Sequence, residues 1–538
     1  MKKVLLSIAI LAMAALSAHA QDVTGTITFD PSIVGESVRM GLVASGNFKV
    51  DWGDGILVDY TQGAYYTHEV MGTEMKLYGD FVQIVANGVE INAVNLDGCP
   101  NMLQIQMNNN HIQTLNVSHM KQMTGLYAYG NDLTSLDVTP CTALKVLDVH
   151  ENQIAGTIDC SGMTNLSRVD VADNQLTGFV LPKQAVLGSV DCRNNLLTTL
   201  DVTNLSSVTE LNCQGNQLTS LDLTGMTALE EVYAYENLIA SIDITPAQAL
   251  KTINFSDNCL TSADLSGNAA LEGIYLYNNQ ISDLNMTGLT GVRWLNIENN
   301  QLTSLDTKSM TSLSLLRVSG NQLSTLDLSG NKGLYTLYVA DNQLTAIDLT
   351  PCPSVYDLDV SRNQLTDLNL NVLNYVYYLQ AGGNKLTSLD IAKHNYLYRL
   401  AVEDNQLTSL DISGKSYLQS LTMHGNDMDA DAINSVIDQL PDLNGKSLVD
   451  ADWAAVFTYS RYEEEEVNKA DAEAKAWNVT EYIKSLTSVA TIAADAHVVN
   501  TVYYDMNGRI MTSTPEHGIF IARDLMSNGT VVARKVMK

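Results

Sequence analysis

Residues 313–323 read LSLLRVSGNQL. As a pattern this is L-x-x-L-x-V-x-x-N-x-L. With Leu313 as position 1, Leu316 and Val318 stand at positions 4 and 6 and alternate with variable residues. That alternation is the side-chain period of a strand. The frame returns as LYTLYVADNQL at 334–344 and as LYRLAVEDNQL at 397–407. Its position-9 asparagine runs through Asn110, Asn131, Asn152, Asn174, Asn195, Asn216, Asn237, Asn258, Asn279, Asn300, Asn321, Asn342, Asn363, Asn384, Asn405 and Asn426. Fourteen of the 15 intervals are 21 residues, and Asn152 to Asn174 is 22, so the period cannot be chance.

One such repeat cannot bury its own apolar side chains, so neighbouring coils must stack. An asparagine both donates and accepts, which lets it satisfy backbone groups where the chain turns away from the strand. The rest of the repeat, typically T-S-L-D-L-S-G and three more residues, is too short for a helix and a return. An extended or 3-10-like convex side is expected. The frame resembles the leucine-rich repeat family, in its short bacterial class of 21 residues, over residues 89–426. The resemblance implies a solenoid with a parallel β-sheet on its concave face, here flanked by small all-β units.

Residues 1–20, MKKVLLSIAILAMAALSAHA, place two lysines before an apolar run and end on Ala18-His19-Ala20. This predicts a secretory signal peptide rather than a membrane span. No cysteine follows the cut, so no lipid anchor is expected. The formal net charge of −30 repels nucleic acid and anionic lipid, and neither is an expected partner.

Residues 21–88 lack the repeat. Runs at 23–29, 37–44, 48–52, 56–60, 65–70 and 75–85 alternate and suggest a small β-sandwich that covers the first coil's edge. Asp51-Trp52-Gly53-Asp54-Gly55 supplies a tight turn and resembles the turn of PKD-like domains. Asp51 and Asp54 admit a calcium site or plain turn chemistry. The array, 89–428, opens on a degenerate coil with Val89 in the asparagine's place and Ile91, Val94 and Leu96 following. Residues 429–486 read as a cap with helices at 429–440 and 463–477, the second opening on four glutamates, and with Trp453 and Trp477 as packing anchors.

Residues 487–538 differ again. Tyr503-Tyr504-Asp505-Met506-Asn507-Gly508-Arg509 precedes Gly518-Ile519-Phe520-Ile521 and a basic run at 531–536. These read as short strands with an Asn-Gly turn. They resemble the C-terminal sorting domain of type nine secretion in Bacteroidetes, with Phe520 in place of the usual tyrosine. The resemblance implies passage across the outer membrane, then release or surface attachment. A small β-module without that role is the alternative.

The seven cysteines are an odd set for an exported chain, which argues against a disulfide framework. Cys192, Cys213 and Cys160 read as inward core residues. Cys99, Cys141 and Cys352 share position 19, read as a rim position, and Cys259 follows Asn258. Position 15 carries Asp137, Asp159, Asp201, Asp222, Asp243, Asp264, Asp306, Asp327, Asp348, Asp390 and Asp411, with Asn116, Asn285 and Asn369 in three further copies. These read as solvated turn residues on the convex side. A ladder of weak cation sites is the other reading.

Positions 3, 5 and 7 are free to carry function, because they point out of the concave sheet. They hold Tyr127 and Tyr129, Tyr233 and Tyr235, Tyr275 and Tyr277, then Trp294, Tyr338 and Tyr378. The chain has 24 Tyr against 7 Phe, which favours a hydroxyl-bearing surface over a simple core role. Asp148, Asp170, Asp191, Glu231, Glu298, Asp357 and Asp359 lie among them, the last two as an outlying acidic rim. His150, beside Asp148 and Asp170, reads as a surface coincidence, and no metal or other cofactor is expected. No zinc-protease, nucleophile-elbow, phosphate-loop or dinucleotide motif occurs, so no enzymatic activity is expected. The expected function is an exported, adhesin-like surface protein that binds a protein ligand on its concave face. Glycan binding and a purely structural role are the alternatives. Aromatics flanked by amides favour sugar, whereas a continuous aromatic strip with an acidic rim favours a basic protein.

Overall fold

A computed structural model describes residues 22–61, 65–183, 186–446, 455–462, 466–484, 498–504, 519–526 and 531–537. The expected leader, the Asn507-Gly508 turn, Trp453 and most of the glutamate run lie outside the described residues.

The N-terminal strands form two sheets over one core. Leu57–Tyr60, Phe48–Asp51, Glu74–Tyr78, Gly25–Phe29 and Ile91–Asn95 make a five-stranded antiparallel sheet in that order. Ser37–Ala44 pairs with Tyr65–Glu69 and with Phe81–Val85 in the second sheet. Phe29, Phe48, Trp52 and Phe81 are buried between them. The expected single strand at 75–85 is two strands in different sheets. The chain breaks at Gly79, whose φ is +148° and where a Cβ would sit 2.7 Å from the Cβ of Phe48. The Asp51 carboxylate accepts from the N–H groups of Gly53 and Gly55, and Asp54 from that of Ile56, each at 2.9 Å. This is turn chemistry, with Oδ1 of each carboxylate holding the loop.

Both sheets reach past residue 88. Phe81–Val85 pairs in parallel with Gln104–Gln106, the first strand of the array, so the concave sheet has no open edge at this end. Ile91–Asn95 returns from the array to the N-terminal sheet.

Each coil contributes a three-residue parallel strand, in register from coil to coil: Leu316, Leu337, Leu358, Leu379, Leu400 and Leu421 are successive partners. All six are fully buried. The ladder asparagine ties coils together. Asn321 Nδ2 donates to the carbonyls of Ile297 (3.1 Å) and Val318 (3.0 Å), and its Oδ1 accepts from Leu302 N at 3.0 Å. All sixteen asparagines accept from the preceding coil in this way. Their neighbours at position 8, such as Gly320 (φ +69°), Asp341 (φ +50°) and Asn299 (φ +54°), are left-handed. Short polar residues and glycine tolerate that turn best.

On the convex side the chain is extended, then closes with two i to i+3 turns, as Met310 N to Thr307 O and Leu313 N to Met310 O. Every position-15 Asp or Asn accepts from the backbone N–H two residues on. The side-chain bonds of Thr224, Ser266 and Thr350, then these backbone bonds, lower the carboxyl pKa at Asp222, Asp264 and Asp348.

Position 19 is not a rim. The double turn aims its side chain inward, and Cys99, Cys141 and Cys352 are fully buried. The column also holds Asn268, Asn331, His394 and Lys415, all buried. Each meets carbonyls of the convex turns: Asn331 Nδ2 donates to Thr307 O (2.9 Å) and Met310 O (3.1 Å), and His394 Nε2 lies 3.1 Å from Leu370 O. The thiols do this weakly, with Cys141 Sγ 3.4 Å from Val117 O. Burial pushes the Cys141 and Cys352 thiols up to about 11, so they stay protonated and inert.

The cap contains the expected helix, Ala430–Gln439, with the Asp429 side chain accepting from Ala432 N at 2.9 Å. The second expected helix shrinks to Lys469–Ala474. On either side of it, Val456–Tyr462 and Asn478–Lys484 add two parallel strands to the concave sheet. Alternation of Phe457 and Tyr459, both fully buried, with polar residues was the missed strand signal. Val498–Tyr504, Ile519–Met526 and Val531–Met537 form a separate three-stranded antiparallel sheet. Among the described residues no helix is long and apolar enough to cross a membrane.

Candidate functional site

The pleat puts positions 3, 5 and 7 on the outer side of the concave sheet, since positions 4 and 6 are turned into the core. Tyr233 is paired with Asn254, and Asn254 with Tyr275, so the two tyrosine pairs are two coils apart. Tyr233, Tyr235, Asn254 and Tyr277, with Glu210, Asn212, Gln214 and Glu236, line an open hollow of 660 Å³. Gln214 is buried in its floor, and its Oε1 has no hydrogen-bond partner. Tyr233 Oη donates to Glu231 Oε2 at 2.8 Å; burial, then this carboxylate, pushes the phenol up to about 12. Asn254 turns its oxygen back to its own turn, accepting from Ser256 N at 3.1 Å.

The other candidates do not join this hollow. Tyr127 and Tyr129 stand toward the N-terminal end, Trp294 is exposed by itself, and Tyr275 lies just outside the lining. Tyr338 Oη donates to Asp357 Oδ2 at 2.7 Å, and the Arg317 guanidinium sits 4.9 Å above its ring. Asp359 accepts from Ser361 N at 2.9 Å. Burial raises both the Asp357 and Asp359 carboxyls. The expected solvated acidic rim is therefore a bonded, half-buried cluster. The tyrosines, too, are half-buried rather than exposed.

His150 is no surface coincidence. Its Nδ1 lies 2.6 Å from Asp148 Oδ1 and 3.9 Å from Asp170 Oδ2, and its ring stacks on Tyr129 at 4.4 Å. Asp148, His150 and Asp170 offer ligand atoms within 4.8 Å of one another. The Arg168 guanidinium lies 3.5 Å from Asp170 and 3.9 Å from Asp148, so the carboxylates already have a counter-charge.

Asp191, the next rung, is pushed up to about 6 by burial and then by the charge of Asp170, against the pull of Arg193. An unfolded aspartate titrates near 3.9. Between those values the folded chain holds a proton the unfolded chain has lost. The stability this proton contributes is therefore complete below about pH 4 and lost as pH rises through about 6. Asp191→Asn is expected to flatten that slope, gaining about 2–3 kcal/mol on the native chain between acid and neutral pH. Urea unfolding across this range measures it; a native slope in the variant places the titration on another group.

Sequence reasoning missed a second aromatic region. Tyrosines also recur at position 2 and at position 21, just ahead of the strands, in the coils from Tyr335 to Tyr417. Their 21-residue recurrence is in the sequence, but strand alternation turns only positions 3, 5 and 7 to solvent and says nothing of residues ahead of the strand.

The LVIVD repeat family matches residues 381–424, a span of two coils. No curated protein matches the chain. Among solved structures, the functional domain of InlJ from Listeria monocytogenes, which includes a cysteine ladder, is 22% identical with a TM-score of 0.51. The match covers 86% of this chain and 92% of that one. YopM from Yersinia enterocolitica is 23% identical with a TM-score of 0.51, over 65% of this chain and 84% of that one. The Arabidopsis receptor kinase HAESA, in complex with the peptide hormone IDA and the co-receptor SERK1, is 18% identical with a TM-score of 0.54, over 76% and 83%. By fold, this chain is a leucine-rich repeat solenoid.

Proposed function

We propose that the chain is an exported, adhesin-like surface protein that binds a protein ligand in the tyrosine-lined hollow of its concave face. One observation carries this reading: Tyr233, Tyr235 and Tyr277 line an open hollow of the concave face together with the amides of Asn212 and Asn254. Central clusters of tyrosine are typical of binding hot spots. The relative HAESA, of the same fold, is seen with a peptide hormone and a co-receptor.

A screen of candidate ectodomain proteins against the mature chain supplies the ligand. Tyr235→Ala with Tyr277→Ala is then expected to weaken binding by more than about 2 kcal/mol, roughly thirtyfold. Because the rings are half-buried, the urea midpoint should fall slightly as well. A fall as large as that of a core Leu→Ala would mean the rings hold the sheet together, and the site would be elsewhere.

Export rests on the leader-like residues 1–20 and on the sorting-like module at 487–538. Removing 487–538 is expected to leave the array folded and trap the chain in the periplasm. Normal surface display of the shortened chain would remove the sorting role.

A further inference from the structure

Along one lateral edge of the array, tyrosines run in two adjacent rows. Tyr335, Tyr356, Tyr377 and Tyr398 form the inner row, with successive ring centroids 5.7, 5.5 and 6.2 Å apart. Tyr375, Tyr396 and Tyr417 form the outer row, 5.9 and 5.5 Å apart. Cross-contacts of 6.3 Å (Tyr377 to Tyr396) and 5.7 Å (Tyr398 to Tyr417) join the rows into one patch. The outer rings are 55%, 45% and 45% exposed, well above the half-buried rings of the concave hollow. The spacing is rigid, because backbone bonds link Tyr356 N to Tyr335 O, Tyr377 N to Tyr356 O and Tyr398 N to Tyr377 O.

The chemistry of this edge is uniform. The segments 353–356, 374–377, 395–398 and 416–419 read PSVY, NYVY, NYLY and SYLQ. None carries a charge, in a chain with 60 acidic residues. Their aliphatic residues, Val355, Val376, Leu397 and Leu418, are all fully buried. What remains outside is aromatic ring, hydroxyl and amide, with Asn374, Asn395 and Ser416 each exposed beside an outer tyrosine.

We infer that this edge binds a neutral, linear glycan, at a site separate from the proposed concave hollow. Lys393, which borders the patch, is already engaged, its ammonium donating to Asn371 O and Leu373 O at 3.0 Å each, so a charged polymer or peptide gains little here. Protein interface cores are also aromatic and poor in charge, so it is the coil-by-coil repetition of the rings that favours a repeating polymer over a protein. A pyranose offers an apolar C–H face edged by hydroxyls, which matches a phenol ring flanked by an amide. An extended glycan also advances per sugar by a length comparable with one coil step of about 4.8 Å. Successive sugars therefore meet successive coils, those at 374–377 and 395–398 offering the same two rings and amide, and the ordered rings lose little rotamer freedom on binding.

The test titrates the full mature chain with cellohexaose, laminarihexaose, mannohexaose and N-acetylchitohexaose. At least one is expected to bind, with little dependence on salt, because no ion pair forms. Tyr375→Ala with Tyr396→Ala should weaken that binding at least about tenfold. Tyr235→Ala with Tyr277→Ala should leave it unchanged, which separates this site from the concave one. If the rim variant does not fold, Asn374→Ala with Asn395→Ala replaces it, and a several-fold loss is expected. The inference is overturned if no hexasaccharide binds at millimolar concentration, or if binding survives the rim substitutions. Self-association of the native chain that is lost in the rim variant would also overturn it, since the edge would then be an interface between copies.

Discussion

Asn321→Ala is expected to lower the free energy of unfolding by about 2–4 kcal/mol, although it removes only a short polar side chain. The asparagine is buried at 8% exposure. Its amide nitrogen serves the carbonyls of Ile297 and Val318, and its oxygen serves Leu302 N. When the side chain is cut, the Ile297 carbonyl keeps the Asn300 amide and the Val318 carbonyl keeps the Asn342 amide, each at 3.1 Å, so two bonds are lost without orphaning an acceptor. The buried Leu302 N–H is left without a partner, which alone costs about 1–3 kcal/mol. Ile297 and Leu302 belong to the preceding coil, so the damage falls on the interface between coils. Asn321→Asp tests the direction of the bonds. It keeps the shape and the acceptor but loses both donor bonds and buries a charge, so it should be no more stable than the alanine variant. Urea unfolding measures both. A native midpoint for Asn321→Ala would show that the ladder bonds contribute nothing.

Trp477→Ala is the second large effect, expected at about 3–5 kcal/mol. The indole is 2% exposed, packs edge-on against Phe457 at 6.4 Å, and donates from Nε1 to Pro441 O at 2.9 Å. It joins the cap helix region to the two added strands, so its loss opens a cavity at the end of the solenoid. A solenoid transmits such damage only to its neighbours. Hydrogen exchange should therefore rise first in Ser420–Thr422 and its partners, while Gly125–Tyr127, at the opposite end of the array, stays protected. Uniform loss of protection along the array would contradict this local picture.

Residues close in sequence, or tied by the period, were legible without coordinates. The spacing of sixteen asparagines set the coil length and the inward positions 4 and 6, and the chain folds as that spacing requires. The Asx turns at position 15 and the cap helix opened by Asp429 follow from side-chain chemistry acting within three residues. The recurrence of tyrosine at positions 3, 5 and 7 marked the concave aromatic columns. The period also implied that adjacent coils lie side by side, hence that Tyr233 and Tyr275 flank Asn254.

The tertiary structure decided what depends on direction and on distant neighbours. Position 19 points inward because two consecutive turns rotate it there, and no alternation in the sequence marks such a rotation. His150 meets Asp148 and Asp170 because one coil supplies Arg168 and Asp170 beside Asp148 of the coil before. Asp357 bonds Tyr338 from the next coil and so is not a solvated rim charge. The array's ends took their form from partners outside the repeat: a sheet edge binds any strand with free backbone groups, and Phe81–Val85 and Val456–Tyr462 were available there. A repeating sequence fixes the coil because each coil meets a copy of itself. It cannot fix the caps or the exposed columns, because what surrounds them is not a copy.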